Sequence, residues 1–262
     1  MEVWGRRTAY GTSIAAPLVT YKAALLLRRF PTATPNLLRA LLVTASDIPP
    51  KALASLNEID KHAARQVCGH GLARVENALS SDQNRVILHA ESVLEIDEIA
   101  IYEIDMLKEF RETKGKRHIR ITLAYDPPVR RARADYLGVE MDFRLMRNST
   151  LDEVTEFFRK RDKKTEGRHT DQASRQKDNL APGPMIRDRG TLQSGTYTTS
   201  RKINGDSDIY YVVVRCKGKW SNTTSQRFAI AVELQHEKDI RLHQGLEARV
   251  EPRVRQRRRQ KT

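Results

Sequence analysis

The sequence predicts a mixed fold in which a helical first third is followed by an all-β antiparallel sandwich. Ala- and Leu-rich segments at helical spacing dominate the N-terminal part of the chain. From Asn84 onward the apolar residues come in short β-rich runs separated by turn residues. The change of pattern falls near residues 80–84. We therefore expect three regions, 1–83, 84–245 and a basic tail at 246–262.

The first third is predicted to form two main helices and a short third one. Residues 13–29 are almost entirely apolar, which is typical of a buried helix, and Pro17 is expected in its first turn. Thr34 and Pro35 are suited to the N-cap and first position of a second helix. A third short helix is expected at Leu72–Leu79. Apolar residues form a core face on the second helix: Leu37, Leu38, Leu41, Leu42 and Ala45.

The strands of the sandwich follow from seven short runs, several of which alternate in polarity. One helix interrupts them, capped by Ser149 or Thr150 and carrying an apolar stripe. Residues 160–185 are polar and predict a long insertion. The seven runs are Arg85–Val93, Ile96–Ile104, His118–Tyr125, Val139–Leu145, Gly195–Ile203, Ile209–Cys216 and Arg227–Leu234. The stripe consists of Leu151, Val154, Phe157 and Phe158.

Composition excludes several classes of protein. No apolar run approaches the roughly 20 residues that span a bilayer, and the N-terminus lacks the apolar core of a signal peptide. We therefore expect a cytoplasmic protein with no membrane partner. Cys68 and Cys216 have no second ligand at a usable spacing, so no metal site and no cofactor are predicted.

The net charge is +14 and is concentrated partly in the Arg-rich residues 249–261. Such a tail can bind nucleic acid or an acidic partner through phosphate or carboxylate groups. No aromatic residues interleave with these arginines, which favours a solvated end over a nucleic-acid site.

The residues Gly11 to Pro17, GTSIAAP, form the one motif that points to a specific chemistry. A serine placed after Gly-Thr at the start of a helix has its backbone N–H and the positive helix end facing a reacting carbonyl. Ser13 is therefore a candidate nucleophile, supported by Gly11 and Thr12. The alternative is a Gly-Thr-Ser turn that only caps an ordinary helix.

The wider pattern resembles the subtilisin-like serine proteases, the subtilases. GTSIAAPLV resembles their nucleophile segment, and TPNLLRALLVTAS (34–46) and GHGLARVENAL (69–79) are similar to the elements that follow it. The resemblance implies that region 1–83 is an α/β fragment, the helical C-terminal part of a subtilase domain. It also implies that Ser13 attacks peptide bonds of a polypeptide substrate. Leu18 and Tyr21 depart from the family, which usually has His and Gly there.

The later region also resembles part of this family. ITLAYDPP (121–128) and RFAIAVEL (227–234) are similar to strands of the C-terminal jelly-roll sandwich of longer subtilases. The whole arrangement is similar to bacterial cytoplasmic subtilases, some of which are encoded beside an AAA-type ATPase. The resemblance therefore implies such an ATPase as a possible partner protein.

The family's catalytic Asp, His and oxyanion-hole Asn precede the Ser, but only ten residues precede Gly11 here. We expect the base and its Asp to be missing from this chain, which would then be inactive alone and fold poorly. His70 fits a Gly-x-Gly turn better than a catalytic base.

Two other classes of function remain open. In an α/β-hydrolase the Asp and His follow the Ser, but Ala15 stands where the nucleophile elbow needs Gly, and Arg6 and Arg7 suit a core strand poorly. The non-enzyme alternative is a binding module whose sandwich and basic tail dock a protein or nucleic-acid partner.

Overall fold

The computed structural model describes residues 11–60, 63–79, 84–161, 179–200, 209–242 and 254–257. The helices are α1 (Thr12–Arg29), α2 (Pro35–Thr44), α3 (Pro50–Asn57), α4 (Ala63–Cys68), α5 (Glu76–Leu79), α6 (Lys108–Glu112), α7 (Leu151–Arg161) and α8 (Pro184–Arg187). The strands are β1 (Ser46–Asp47), β2 (Leu72–Ala73), β3 (Arg85–Glu95), β4 (Glu98–Asp105), β5 (Arg117–Tyr125), β6 (Val139–Met146), β7 (Leu192–Thr199), β8 (Ile209–Gly218), β9 (Ser225–His236) and β10 (Val254–Arg257).

Two four-stranded antiparallel sheets face each other. The first sheet has the order β3-β9-β5-β7 and the second has the order β10-β4-β8-β6. Alternate residues of the central strands point inward, because successive side chains of a strand lie on opposite faces. Ile121 and Ile230 of the first sheet meet Phe143 and Val212 of the second in one shared core. The predicted combination of helices and an antiparallel sandwich is confirmed.

Helices cover the outer faces of both sheets. Leu37 and Leu41 of α2 pack on the first sheet, whose outer face carries the small residues Ala124, Ala229 and Ala231. Small side chains let a helix approach a sheet closely, so the pairing follows from the alternation of large inward and small outward residues. Helix α7 covers the second sheet in the same way, with a separate apolar cluster. That cluster includes Val154, Phe158, Ile101 and Val213.

Caps and strands occur largely where the sequence predicts them. The Thr34 hydroxyl accepts the Leu37 N–H at 3.3 Å, and Pro35 is the first residue of α2. Thr150 caps α7 by accepting the Glu153 N–H, while the Glu153 carboxylate accepts the Thr150 N–H. Six of the seven predicted strands match within two residues at each end; the other, predicted at Gly195–Ile203, forms at Leu192–Thr199.

The prediction of a helix over Leu72–Leu79 is wrong for its first half. Leu72 and Ala73 form β2, which pairs with β1, and only Glu76–Leu79 is helical. A two-residue pairing between segments so far apart in sequence leaves no periodic signal. The short helices α3, α4, α6 and α8 were not predicted, because each has at most eight residues and is too short to show a helical period of apolar residues.

The predicted insertion and the basic tail are described only in part. Most of the insertion, residues 162–178, lies outside the described residues. Leu180, which was predicted to be in the insertion, is buried in the sandwich core. In the tail, residues 254–257 do not extend into solvent as a coil but pair with β4 as an edge strand.

Candidate active site

Helix α1 begins directly after Gly11, which makes Ser13 its second residue. The φ angle of Gly11 is 147°, a value that residues with a Cβ rarely adopt. Its carbonyl oxygen accepts the N–H groups of Ile14 and Ala15, both at 3.1 Å. The N–H of Ser13 precedes these first hydrogen bonds of the helix and therefore has no acceptor within it. The backbone thus presents a donor beside the Ser13 hydroxyl at the positive helix end.

Pro17 lies deeper in α1 than the sequence analysis expected. It is the sixth helical residue, so its place in the first turn is a wrong prediction. Proline lacks the N–H that would bond to the carbonyl four residues earlier, which here belongs to Ser13. The helical ladder is therefore interrupted directly at the candidate nucleophile.

The prediction that α1 is buried is also wrong. Every residue from Gly11 to Tyr21 is exposed, with 60% of Leu18 and 63% of Tyr21 accessible to solvent. Within α1, only Leu26 is fully buried. Apolar composition indicates that a helix suits an apolar environment, but it does not say which segment supplies it. The described residues form no sheet around α1.

Among the described residues, contacts anchor helix α1 only through its C-terminal half. Leu26 packs in one cluster with Leu37 of α2 and Ala78 of α5. Lys22 also donates through Nζ to the Ala73 carbonyl. At 1.5 Å per residue, Ser13 lies about 13 Å along the helix from Lys22. The end that carries Ser13 therefore projects beyond its support.

Four of the seven histidines lie in the described part of the chain, and none of these four is hydrogen-bonded to Ser13. The remaining three, His62, His169 and His243, lie outside the described residues. Other groups hold the four described rings: His70 near Arg65 and Arg120, His89 against the Phe30 ring, His118 at the Thr198 hydroxyl, and His236 at the Thr113 carbonyl.

His70 belongs to the Gly-x-Gly turn, as the sequence predicts. Gly69 and Gly71 have φ angles of 59° and 93°. A Cβ on Gly71 would lie 2.4 Å from the Asp47 backbone, so only glycine fits against β1. Burial, and then the charges of nearby arginines, lowers the pKa of His70 to about 4. His70 is therefore neutral at pH 7, and it is the central residue of the Gly-x-Gly turn.

Arg120 of β5 joins the sandwich to the end of α2. Its Nη1 donates to the carbonyl oxygens of Thr44 and Ser46 at 2.8 and 2.7 Å, and its Nη2 pairs with Asp47 at 2.5 Å. The last carbonyls of a helix lack partners within the helix, so a cation here satisfies them and opposes the negative helix end. This contact fixes the C-terminal end of α2 on the first sheet.

The same arginine is positioned by a buried carboxylate. Glu233 of β9 is 4% exposed and lies 3.6 Å from Arg120 Nε and 2.9 Å from Arg85 Nε. Burial raises the pKa of Glu233, and the two arginines oppose that shift. This group was not predicted from the sequence, although the alternation in β5 places Arg120 on the face that α2 covers.

A second set of contacts holds the N-terminal half of α2. Asn36 Nδ2 donates to Asp126 Oδ1 at 2.7 Å, and Arg39 Nη2 donates to Thr191 Oγ1 at 3.2 Å. Asp126 and Thr191 both lie in loops next to the first sheet. The helix is therefore attached to the sandwich at both ends.

Residues 5–71 match the model of the subtilase family, Peptidase_S8. The segment from before α1 to the Gly-x-Gly turn is therefore subtilase sequence, and the resemblance predicted from GTSIAAP is confirmed for it. Over 241 residues the chain is 42% identical to "Uncharacterized protein y4bN" of Sinorhizobium fredii (strain NBRC 101917 / NGR234). The match covers 92% of this chain and 56% of that protein, so the chain spans about half the length of this relative.

Two further observations apply to the described residues alone. None of their helices is long and apolar enough to cross a membrane. They also contain no group of three or more His, Cys, Asp or Glu side chains arranged to hold a metal ion. The role of Ser13 as nucleophile, and of Gly11, Thr12 and Pro17 as its support, stays a prediction from the sequence.

Proposed function

We propose that this chain carries the nucleophile of a subtilase-type serine endopeptidase, with Ser13 attacking the peptide bonds of polypeptide substrates. The observation that carries the proposal is the position of Ser13 as the second residue of a glycine-initiated helix within subtilase sequence. A free helix N–H and the positive helix end stabilise negative charge on a carbonyl oxygen as it becomes tetrahedral.

The reaction needs a general base that the described residues do not bring to Ser13. A histidine takes the proton from Oγ as Oγ bonds to the scissile carbonyl carbon. The same histidine then protonates the leaving amine as the C–N bond breaks, and water hydrolyses the resulting acyl ester. We propose that the base and its Asp come from a polypeptide segment that encloses the exposed half of α1.

The apolar surface of that half supports enclosure. Ile14 and Val19 are 46% and 48% exposed, in addition to the larger exposure of Leu18 and Tyr21. Burying an exposed aliphatic or aromatic side chain contributes about 1–2 kcal/mol. Four such residues on two helical turns provide several kcal/mol for a segment that covers them, and covering them also excludes water from Ser13.

A fluorophosphonate probe tests the proposal, because it reacts with activated serine hydroxyls. The chain is prepared alone and fused to the part of the Sinorhizobium protein that it does not match. Each form is made as wild type, as Ser13→Ala, and as Ser200→Ala, which removes an exposed serine elsewhere. We expect labelling of the fusion that is lost in Ser13→Ala and retained in Ser200→Ala.

Two results would overturn the proposal. An unlabelled but folded fusion would show that no base reaches Ser13, and labelling that persists in Ser13→Ala would place the reactive serine elsewhere. Labelling of Ser13 in the chain alone would refute the need for an enclosing segment.

We further propose that the protein works in the cytoplasm. Cys68 is half-buried and Cys216 is buried, and neither forms a disulfide, which is usual for cysteines in a reducing compartment. Mass spectrometry of thiols alkylated in intact cells tests this: both cysteines should be recovered fully reduced.

A further inference from the structure

A cluster of arginines surrounds Trp220 at one end of the sandwich. The loop between β5 and β6, residues 126–138, is called the Arg130 loop here. Arg130 and Arg133 place their guanidinium carbons 4.8 and 5.4 Å from the centre of the Trp220 ring. The two charges therefore lie within about 10 Å of each other, one Debye length at ordinary ionic strength.

The loop holds this arrangement through its own hydrogen bonds. The Arg130 N–H donates to the Tyr136 carbonyl at 3.0 Å, and the Gly138 N–H donates to the Pro128 carbonyl at 2.7 Å. Trp220 Nε1 donates to the Asp135 carbonyl at 2.6 Å. The indole is therefore fixed to the loop, and its ring holds the two guanidinium groups at defined positions before any ligand binds.

The arginines of this cluster lack an acidic partner within the described part of the chain. Arg130, Arg131 and Arg133 form no ion pair with any described carboxylate, and neither does Arg189 next to the loop. Some other described arginines do have an acidic partner, as Arg215 has in Asp142. Concentrated cations without a counter-charge attract anionic groups from solution.

A surface groove of about 400 Å³ lies beside the cluster, between the loop and residues 189–191. Tyr136 lines it and is 47% exposed, so the groove offers apolar contact as well as charge. Asp135 and Glu140 also line it. Glu140 is paired with Lys219 at 3.2 Å, whereas Asp135 repels a continuous polyphosphate chain. A peptide with spaced carboxylates can place its own carboxylates beside the arginines and away from Asp135.

We propose that the Arg130 loop, Trp220 and this groove form a docking site for an acidic segment of another polypeptide. Carboxylates of that segment pair with Arg130 and Arg133, and its apolar side chains lie against Tyr136 in the groove. The site stands independently of Ser13. It also differs from the basic tail, which the sequence analysis considered as the anionic-partner site.

The test measures binding to the full chain carrying Trp4→Phe, which leaves Trp220 as the single tryptophan. The probes are a fluorescein-labelled peptide of alternating glutamate and leucine, its counterpart with glutamine in place of glutamate, and a single-stranded oligonucleotide of equal length. Fluorescence anisotropy gives the affinities at about 50 and 200 mM salt, and Trp220 emission reports contact at the site. Ser13→Ala is added so that proteolysis cannot alter the peptide.

Two double variants isolate the cluster from the overall charge of the chain. Arg130→Gln with Arg133→Gln removes the pair on Trp220. Arg28→Gln with Arg227→Gln removes the same charge from two exposed positions elsewhere. We expect the first to weaken binding of the glutamate peptide about tenfold and the second less than twofold, with circular dichroism confirming that both fold.

Each other outcome overturns the proposal. Equal loss in the two double variants, or no change in Trp220 emission, would reduce the binding to non-specific attraction by net charge. Tighter, cluster-dependent binding of the oligonucleotide would identify a nucleic-acid site instead. Absence of measurable binding of the glutamate peptide at the lower salt concentration would show that no such docking site exists.

Discussion

Arg120→Met tests how much the partly buried Arg120 contributes to holding the subtilase segment on the sandwich. The methionine fills much of the aliphatic volume of Arg120, so the change removes mainly the guanidinium group. Two carbonyl oxygens, that of Thr44 at the end of α2 and that of Ser46 in β1, then lose their donor. Glu233 loses one of its two cationic neighbours while staying buried.

The expected cost follows from these losses. Each hydrogen bond to a carbonyl contributes about 1 kcal/mol net, and a buried carboxylate that loses one of two partners costs about a further 1–2 kcal/mol. We therefore expect Arg120→Met to lower the free energy of unfolding by about 3 kcal/mol. For a chain of this size that is a decrease in Tm of about 6–12 °C.

Urea and thermal denaturation measure the change in the free energy of unfolding, and two further variants serve as comparisons. Arg227→Met alters an exposed arginine of the same sheet and should cost less than about 0.5 kcal/mol. Glu233→Gln completes a double-mutant cycle with Arg120→Met, in which we expect a coupling of about 1–2 kcal/mol. Hydrogen exchange should show faster exchange of α2 amides in Arg120→Met than in Arg227→Met.

A small, additive effect would refute the role of Arg120 in holding α2. If Arg120→Met costs less than about 1 kcal/mol, the carbonyls of α2 are satisfied by water without loss. If its effect adds to that of Glu233→Gln without coupling, the two side chains do not act together in the folded protein.

Three other predictions concern the turn and α1. Gly71→Ala should cost at least about 2 kcal/mol because the Cβ would meet the backbone of β1, whereas Gly69→Ala, at a positive φ in open space, should cost about 1 kcal/mol; equal values from urea titration would contradict the close approach. Because the folded pKa of His70 is lowered to about 4, below its ordinary value of 6.5, its stabilising contribution is complete above pH 6.5 and is lost as the pH falls toward 4. His70→Gln should therefore flatten Tm against pH in that window, and an unchanged slope would refute this. Leu18→Gln should leave the stability within about 0.5 kcal/mol, whereas Leu26→Ala should cost about 2–4 kcal/mol; similar costs would show that the exposed half of α1 is covered.

Local sequence signals were sufficient for much of the fold. Thr34 and Pro35 mark the start of α2 because an N-cap hydroxyl and a proline at the first position both act within one turn. The alternation of Ile119, Ile121 and Leu123 places one face of β5 inward, since side-chain direction in a strand depends only on position. Such signals depend only on residues close in sequence, so they can be recognised without knowing the rest of the structure.

The features that were missed depend on residues far apart in the chain. Arg120 lies in a segment predicted only as a strand, and its partner Glu233 belongs to another strand far away in the sequence. Arg130 and Trp220 are brought together only by the loops at one end of the sandwich. The prediction that α1 is buried was wrong for a different reason. Apolar composition indicates which environment suits a helix, but it does not indicate whether the described residues provide that environment.

The anchoring of α1 has a consequence for catalysis. Leu26 holds the helix at one end, and Ser13 lies about 20 Å along the axis from it. A tilt of about five degrees at the anchor displaces Ser13 by nearly 2 Å over this length. Nucleophilic attack tolerates displacements of only about 1 Å before the rate falls steeply. The contacts between α2 and the sandwich therefore fix the C-terminal half of α1, but they do not position Ser13 for nucleophilic attack. That positioning requires contacts to Ile14 and Leu18, beside the nucleophile, and these are the side chains that the described part of the chain leaves exposed.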